Sequence, residues 1–168
     1  MKTPAKHRAL APETIGLAVL TVSDSRTPED DVSGRRIEEL ATDAGHRVVE
    51  RRLVGDEIAA IRPAVAELAA LPGVDIVVVS GGTGFSPRDV TLEAVAPLLD
   101  PVIEGFGELF RMLSFEQVRA AAMLSRATAG LIEERAVFVL PGSPKAVELA
   151  MEKLILPEAG HLLGQMRS

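Results

Sequence analysis

Two carboxylates, Asp56 and Asp89, and one guanidinium, Arg88, are the groups of this chain whose types and spacing offer chemistry. Asp89 and Arg88 follow the run Gly81-Gly82-Thr83-Gly84 within a single loop. Glycines at that density let a backbone turn sharply and expose its N–H groups. Thr83 and Ser86 add hydroxyls, so the loop suits an anion such as a phosphate. A bare GGTG is equally well explained as a tight strand-to-helix turn. The continuation Ser86-Pro87-Arg88-Asp89-Val90-Thr91 favours the functional reading, with Arg88 either a phosphate clamp or a salt-bridge partner of a nearby acid. Whether Gly82 is needed for its φ angle or for close approach of a ligand stays open at this point. If only φ matters, Asn is tolerated there.

The elements around this loop decide what can join it. Ile76, Val77, Val78 and Val79 form an apolar run without alternation, as expected of a parallel strand covered on both faces. Similar signals mark strands over 15–22, 47–54 and 137–140, the second more polar and therefore nearer an edge. Helical periodicity between them predicts a helix opening at Ser33 and stopped by Gly45, and one opening at Asp56 in which Pro63 should produce a kink or break. A short helix over 92–99 is capped by Thr91, and a helix over 104–115 bears Phe106, Leu109, Phe110 and Leu113. The last helix starts at Ser143-Pro144. Residues 121–134 read as helix or loop with a short strand near 130–132. Alternating strands and helices imply an α/β fold, a three-layer sandwich with a mostly parallel central sheet and helices on both faces. If the strands are parallel, the loops after them leave one edge of the sheet, and Asp24, Asp56, Asp89 and Ser143 to Lys145 share one crevice. Each has a plainer reading alone: a turn former, a helix cap, a solvated side chain. Their joint placement with Arg26, Arg88 and the glycine loop favours function.

Composition removes several classes of chemistry. The chain has 168 residues and 47% hydrophobic content, enough for one domain, read here as 15–168 behind a flexible tail over 1–14. There is no Cys, which excludes disulfides, thiolate metal sites and thiol nucleophiles. His7, His46 and His161 are not at metal-ligand spacing from one another. A net charge of −6 argues against a nucleic-acid surface. The basic start lacks the apolar core of a signal peptide and no segment is apolar over a membrane-spanning length, so a cytoplasmic protein is expected. A P-loop NTPase is excluded because no Gly-Lys-Ser/Thr follows the glycines.

Five segments in order, TVSDSR at 21–26, GGTG with RDVT within 81–91, EGFGELFRMLSF at 104–115, LSRATAG at 124–130 and LPGSPKA at 140–146, resemble the MoaB/MogA family of molybdopterin adenylyltransferases. The EGFGE and FRMLSF wording resembles its B branch. The resemblance implies transfer of AMP from MgATP to the phosphate of molybdopterin, with release of pyrophosphate. It places the two catalytic carboxylates, also the Mg²⁺ ligands, at Asp56 and Asp89, and lines the substrate site with Gly81, Gly82, Thr83, Gly84 and Arg88. Asp24, Ser125, Gly142 and Ser143 are further binding residues. It further implies trimers or hexamers and hand-over of product to a molybdenum-insertion protein. The alternative within this resemblance is a catalytically silent carrier that binds molybdopterin or nucleotide.

Overall fold

The computed structural model describes residue 9 and residues 11–168. Residues 1–8 and 10, and with them His7 and most of the segment read as a tail, lie outside the described residues.

Five strands form one sheet: β1 (Gly16–Val22), β2 (Arg47–Val54), β3 (Ile76–Ser80), β4 (Thr128–Ile132) and β5 (Arg135–Leu140), in the order β2-β1-β3-β5-β4. All neighbours run parallel except β4, which pairs antiparallel with β5. β1, β3 and β5 are almost wholly buried, whereas β2 at one edge is largely half-exposed, as its Arg and Glu content requires.

Because successive side chains of a strand point to opposite faces, the central strands feed two cores. Leu17, Val19, Ile76, Val78 and Phe138 pack beneath α1 (Val32–Asp43), α4 (Glu104–Val118), α5 (Pro144–Ala150) and α6 (Leu156–Met166). Leu20, Val77, Val79, Val137 and Val139 pack beneath α2 (Ile58–Ala70) and α3 (Thr91–Val95). This is the three-layer α/β sandwich expected from the sequence. A π-helical turn, Met151–Ile155, joins α5 to α6.

Helix starts differ from the sequence reading in three places. Asp31, not Ser33, caps α1, accepting from the N–H of Gly34 at 3.0 Å, while the Ser33 hydroxyl donates to the carbonyl of Gly142 at 2.6 Å. Both residues are cap formers two positions apart, and the choice is made by Thr21, whose hydroxyl donates to the other Asp31 oxygen at 2.7 Å. Glu57 rather than Asp56 stands at the N-cap of α2, and Asp56 accepts from another loop instead. Thr91 is the first residue of α3 rather than its cap, and its hydroxyl donates back to the carbonyl of Gly81 at 2.8 Å. Pro63 does not interrupt α2. It lies on the exposed face, one turn after exposed Ala59, whose carbonyl loses its helical donor where water can replace it. The ambiguous stretch before β5 resolves into a 3₁₀ run (Arg119–Leu124) and the edge strand β4. Ser143 caps α5 as expected, accepting from the N–H of Ala146, and Gly45 follows α1 with φ +86°.

In α4, Phe106 and Phe110 are internal, with Phe106 edge-on to Phe138 at 5.1 Å between ring centroids. Phe110→Ala is therefore expected to cost about 3–5 kcal/mol in urea unfolding, and Glu108→Ala, at an exposed position of the same helix, less than about 0.5 kcal/mol. Equal losses would contradict this packing.

Candidate active site at the sheet edge

The order β2-β1-β3 means that the chain leaves β1 to one side for β2 and then crosses to the other side for β3. Such a reversal opens a crevice beyond the carboxyl ends of the strands. The loops that follow β1, β2, β3 and β5 leave this edge, and the segment bearing Ser125 enters β4 at it. The β1 and β2 loops are tied together: the N–H of Asp24 donates to Asp56 Oδ2 at 2.9 Å, and the N–H of Asp56 donates to Asp24 Oδ1 at 2.8 Å. Arg88 pairs with the second oxygen of Asp24. Asp24 and Arg88 thus compete for neither of the Asp56 oxygens beyond that one backbone bond.

The glycine loop lies between the two predicted catalytic carboxylates. Gly81 and Gly82 take φ +96° and +66°. The Gly81 N–H is spent on the carbonyl of Leu140 at 3.1 Å, and the carbonyl of Gly82 accepts from the N–H of Thr91 at 3.0 Å. The next three N–H groups, of Gly82, Thr83 and Gly84, find no acceptor among the described residues. A Cβ on Gly82 would lie 3.0 Å from Asp56 Oδ1, and one on Gly84 would lie 2.7 Å from Asp89 Oδ2. Asp89 Oδ2 accepts from the N–H of Ser86 at 3.0 Å, and the Asp89 N–H donates to the carbonyl of Ser86 at 2.9 Å. The loop therefore presents three unpaired donors flanked by two carboxylates.

Gly82 is required for a reason beyond its φ. Its Cβ would also meet Thr91 Oγ1 at 2.3 Å and Val22 Cγ1 at 3.3 Å. The reading in which only φ matters, and Asn is tolerated, leaves these contacts out, because a Cβ here meets the protein's own atoms.

The remaining nominated residues divide. Gly142 joins the site, since a Cβ on it would sit 3.1 Å from the Cα of Gly81. Beside it a concavity of about 140 Å³ opens between Arg26, Val32, Ser33 and Gly81, with Ser80 in its lining. The Ser80 hydroxyl is fully buried and has no partner in the described structure. The Ser143 hydroxyl is occupied as a helix cap. The Ser125 hydroxyl is buried and without a partner. Arg126, next in sequence, was not nominated. It donates from Nε to the carbonyl of Thr83 at 3.0 Å and from Nη2 to that of Gly84 at 2.8 Å. No local sequence signal links it to a loop about forty residues earlier.

The carboxylates differ in proton affinity. The N–H of Asp56, then the Arg88 guanidinium, lowers the pKa of Asp24 below the usual 3.8. Partial burial raises that of Asp56, and the charges of Asp24 and Asp89 add to the rise against the opposing Asp24 N–H and Arg88. Neighbouring negative charge of this kind favours a cation. Among the described residues no three acidic, His or Cys side chains are grouped to hold a metal unaided. A pair of carboxylates does fit Mg²⁺, which keeps several waters and accepts phosphate oxygens alongside one or two protein oxygens.

Fold and site define an α/β domain of doubly wound type with a glycine loop of unpaired N–H donors at its switch point. A family model described as a probable molybdopterin binding domain matches residues 18–161. Molybdenum cofactor biosynthesis protein B of Bacillus cereus is 49% identical over 158 residues, covering 94% of each chain. The Escherichia coli K12 protein of the same name is 44% identical over 84% of each. A crystal structure of a molybdenum cofactor biosynthesis protein B superposes with a TM-score of 0.90 at 48% identity, covering 94% of this chain and 98% of the other. The tungsten cofactor synthesizing protein MoaB of Pyrococcus furiosus gives 0.85 at 38% identity, covering 94% and 100%. The chain belongs to the molybdopterin-binding family that includes molybdenum cofactor biosynthesis protein B.

The raised pKa of Asp56 has a consequence for stability. A carboxyl that holds its proton more tightly in the fold than in the unfolded chain favours the fold at acid pH. That contribution is lost as pH rises from the unfolded value of 3.8 through the folded one. Asp56→Asn keeps an oxygen to accept the Asp24 N–H and removes the charge. Its Tm at pH 7 is expected to exceed that of the unsubstituted protein, by at most about 2 °C given solvent screening, and the difference should vanish near pH 3. A Tm at pH 7 below that of the unsubstituted protein would contradict the sign.

Proposed function

We propose that this chain acts in molybdenum cofactor biosynthesis as an adenylyltransferase, moving AMP from MgATP to the phosphate of molybdopterin. The observation that carries the reading is the row of three unpaired N–H groups, Gly82 to Gly84, set between Asp56 and Asp89. A phosphate oxygen of molybdopterin attacks the α-phosphorus of ATP. The bond from that phosphorus to the bridging oxygen of the β-phosphate breaks, and pyrophosphate leaves. The nucleophile is already ionised, so no general base is needed, and the task reduces to alignment and charge neutralisation.

The residues have distinct tasks. The three N–H groups hold a phosphate in line, and the neighbouring recess at Gly142 receives part of the second substrate. Asp56 and Asp89 are the ligands for the Mg²⁺ that accompanies ATP, and Mg²⁺ supplies charge neutralisation at the phosphates. Arg88, exposed and resting on Asp24, is free to swing onto an arriving phosphate at the cost of a screened ion pair. Binding without turnover, the carrier role, would use the same loop but gives no reason for two carboxylates beside the phosphate site. A protein of this function would pass adenylylated product to a molybdenum-insertion protein. No helix of the described residues is long and apolar enough to cross a membrane.

The same reading includes self-association as a trimer or hexamer. A groove of about 300 Å³ between α4 and α6 is lined by Phe106, Leu109, Leu154 and Leu162. Leu109, Met112, Phe115 and Val118 leave nearly half or more of their surface exposed along α4 and its end. Exposed apolar side chains grouped on one helix mark a protein interaction site.

Purified protein incubated with molybdopterin and MgATP is expected to yield adenylylated molybdopterin and pyrophosphate. Asp56→Asn and Asp89→Asn should each lower the rate on the order of a hundredfold with the fold retained. Undiminished turnover in both would refute their roles, and binding without product would establish the carrier. Light scattering at micromolar concentration should give a trimer or larger, reduced to smaller species by Leu109→Glu. A monomeric unsubstituted protein would end the assembly proposal.

A further inference from the structure

Arg126 lies between the 3₁₀ run and β4, outside the loops that leave the carboxyl edge of the parallel strands, yet its guanidinium reaches the active-site loop at both ends. Nε donates to the carbonyl of Thr83 at 3.0 Å, and Nη2 donates to the carbonyls of Gly84 at 2.8 Å and Asp89 at 3.4 Å. Nη1 pairs with Glu93 Oε1 at 2.7 Å, and the guanidinium carbon stands 5.2 Å from the ring centroid of Phe85. Four of its five N–H donors are used, although only 24% of the side chain is exposed.

We propose that Arg126 is the positioning residue of the active site, a clasp that holds residues 83–89 closed so that the Asp89 carboxylate and the unpaired N–H groups of Thr83 and Gly84 keep one geometry. The inference rests on the adenylyl-transfer reading for its kinetic effect, but the clasp itself can be tested without it.

The physical argument is geometric. The loop 84–89 has a hydrogen-bonded interior, with Ser86 and Asp89 bonded to each other in both directions. That closed turn still has to be fixed against the sheet. Gly84 and Asp89 bracket it, and one Nη2 addresses the carbonyls of both, so the two ends cannot separate without breaking bonds to a single planar group. Drawing those carbonyls toward the guanidinium leaves the N–H side of the Thr83–Gly84 segment for a ligand. Glu93 fixes the guanidinium from the far side, and its own pKa is lowered chiefly by this bond. Lys offers a point charge with three donors, and it cannot reproduce a fork that meets three carbonyls and a carboxylate in one plane. Misplacing a reacting group by about 1 Å can remove on the order of a hundredfold in rate.

Three measurements test the clasp. Arg126→Lys should lower kcat for adenylyl transfer about 30- to 100-fold while KM for MgATP changes less than about threefold. A wild-type kcat would overturn the proposal. Acting through Asp89, Arg126→Lys should cost less than about twofold when added to Asp89→Asn, and losses that multiply would overturn the link. By hydrogen exchange, the amides of Ser86 and Asp89 should exchange at least about tenfold faster in Arg126→Lys, with Val77 to Val79 unchanged. Unchanged loop exchange would overturn the clasp even if the unsubstituted protein made no adenylylated product, which by itself would count against the transfer reading alone. Should Arg126→Lys fail to fold, Phe85→Leu removes the ring stacked on the guanidinium from a side chain that is 69% exposed. That variant should exchange faster at the same two amides, and wild-type exchange there would overturn the proposal.

Discussion

Residues 76–79, Ile-Val-Val-Val, have no polar face to turn toward water, and β1 and β5 are in the same position. A sheet built on such strands is stable only with helices on both sides. Covering both sides obliges the chain to cross the sheet in two directions, and right-handed crossovers then fix where the direction reverses. The crevice at the ends of β1 and β3 follows from that demand for burial. The glycine loop, Asp24, Asp56 and Gly142 meet there because parallel strands send their following loops to one edge. Residues more than a hundred positions apart become neighbours, as Ser33 and Gly142 do through a 2.6 Å hydrogen bond from the serine hydroxyl to the glycine carbonyl.

Within the crevice, one set of charges is neutralised and another is left under tension. Asp24 has its own cation in Arg88 and a backbone donor, so it serves the fold. Asp56 has one backbone donor and two negative neighbours, so it is held in a form that folding alone does not favour. The reciprocal bonds between Asp24 and Asp56 divide these tasks between two residues that the sequence presents as equivalent loop aspartates. Strain of this kind is tolerable because the sheet beneath contributes far more through burial than one half-exposed carboxylate costs.

The sheet, its edge strand and the crevice were legible in the sequence because each depends on hydrophobic period and on strand direction, both of which are written locally. The cap of α1 was not, since Asp31 and Ser33 are both good caps and the decision rests with Thr21 on a strand, ten residues earlier. Asp56 was legible as a residue of the crevice but not as a residue outside its helix, because capping and bridging use the same carboxylate. Arg126 was invisible for a different reason. A single arginine in the largely apolar run 120–131 adds no periodicity to read, and its meaning comes entirely from three carbonyls that only the folded loop brings within reach.

The glycines of the loop show how far a site can be defined from inside the protein. Gly82 is held against Thr91, Asp56 and Val22, and Gly81 against the carbonyl of Val22 at 2.3 Å from any added Cβ. Neither needs a ligand to explain it. What these close contacts achieve is indirect: by turning the chain with φ above zero and spending the Gly81 N–H on β5, they leave the following three N–H groups without an acceptor among the described residues. Unpaired backbone donors are costly where water is excluded and cheap where an anion arrives. The compact glycine turn is therefore a structural requirement whose product is a row of unpaired donors, and structural and functional explanations of GGTG concern the same atoms.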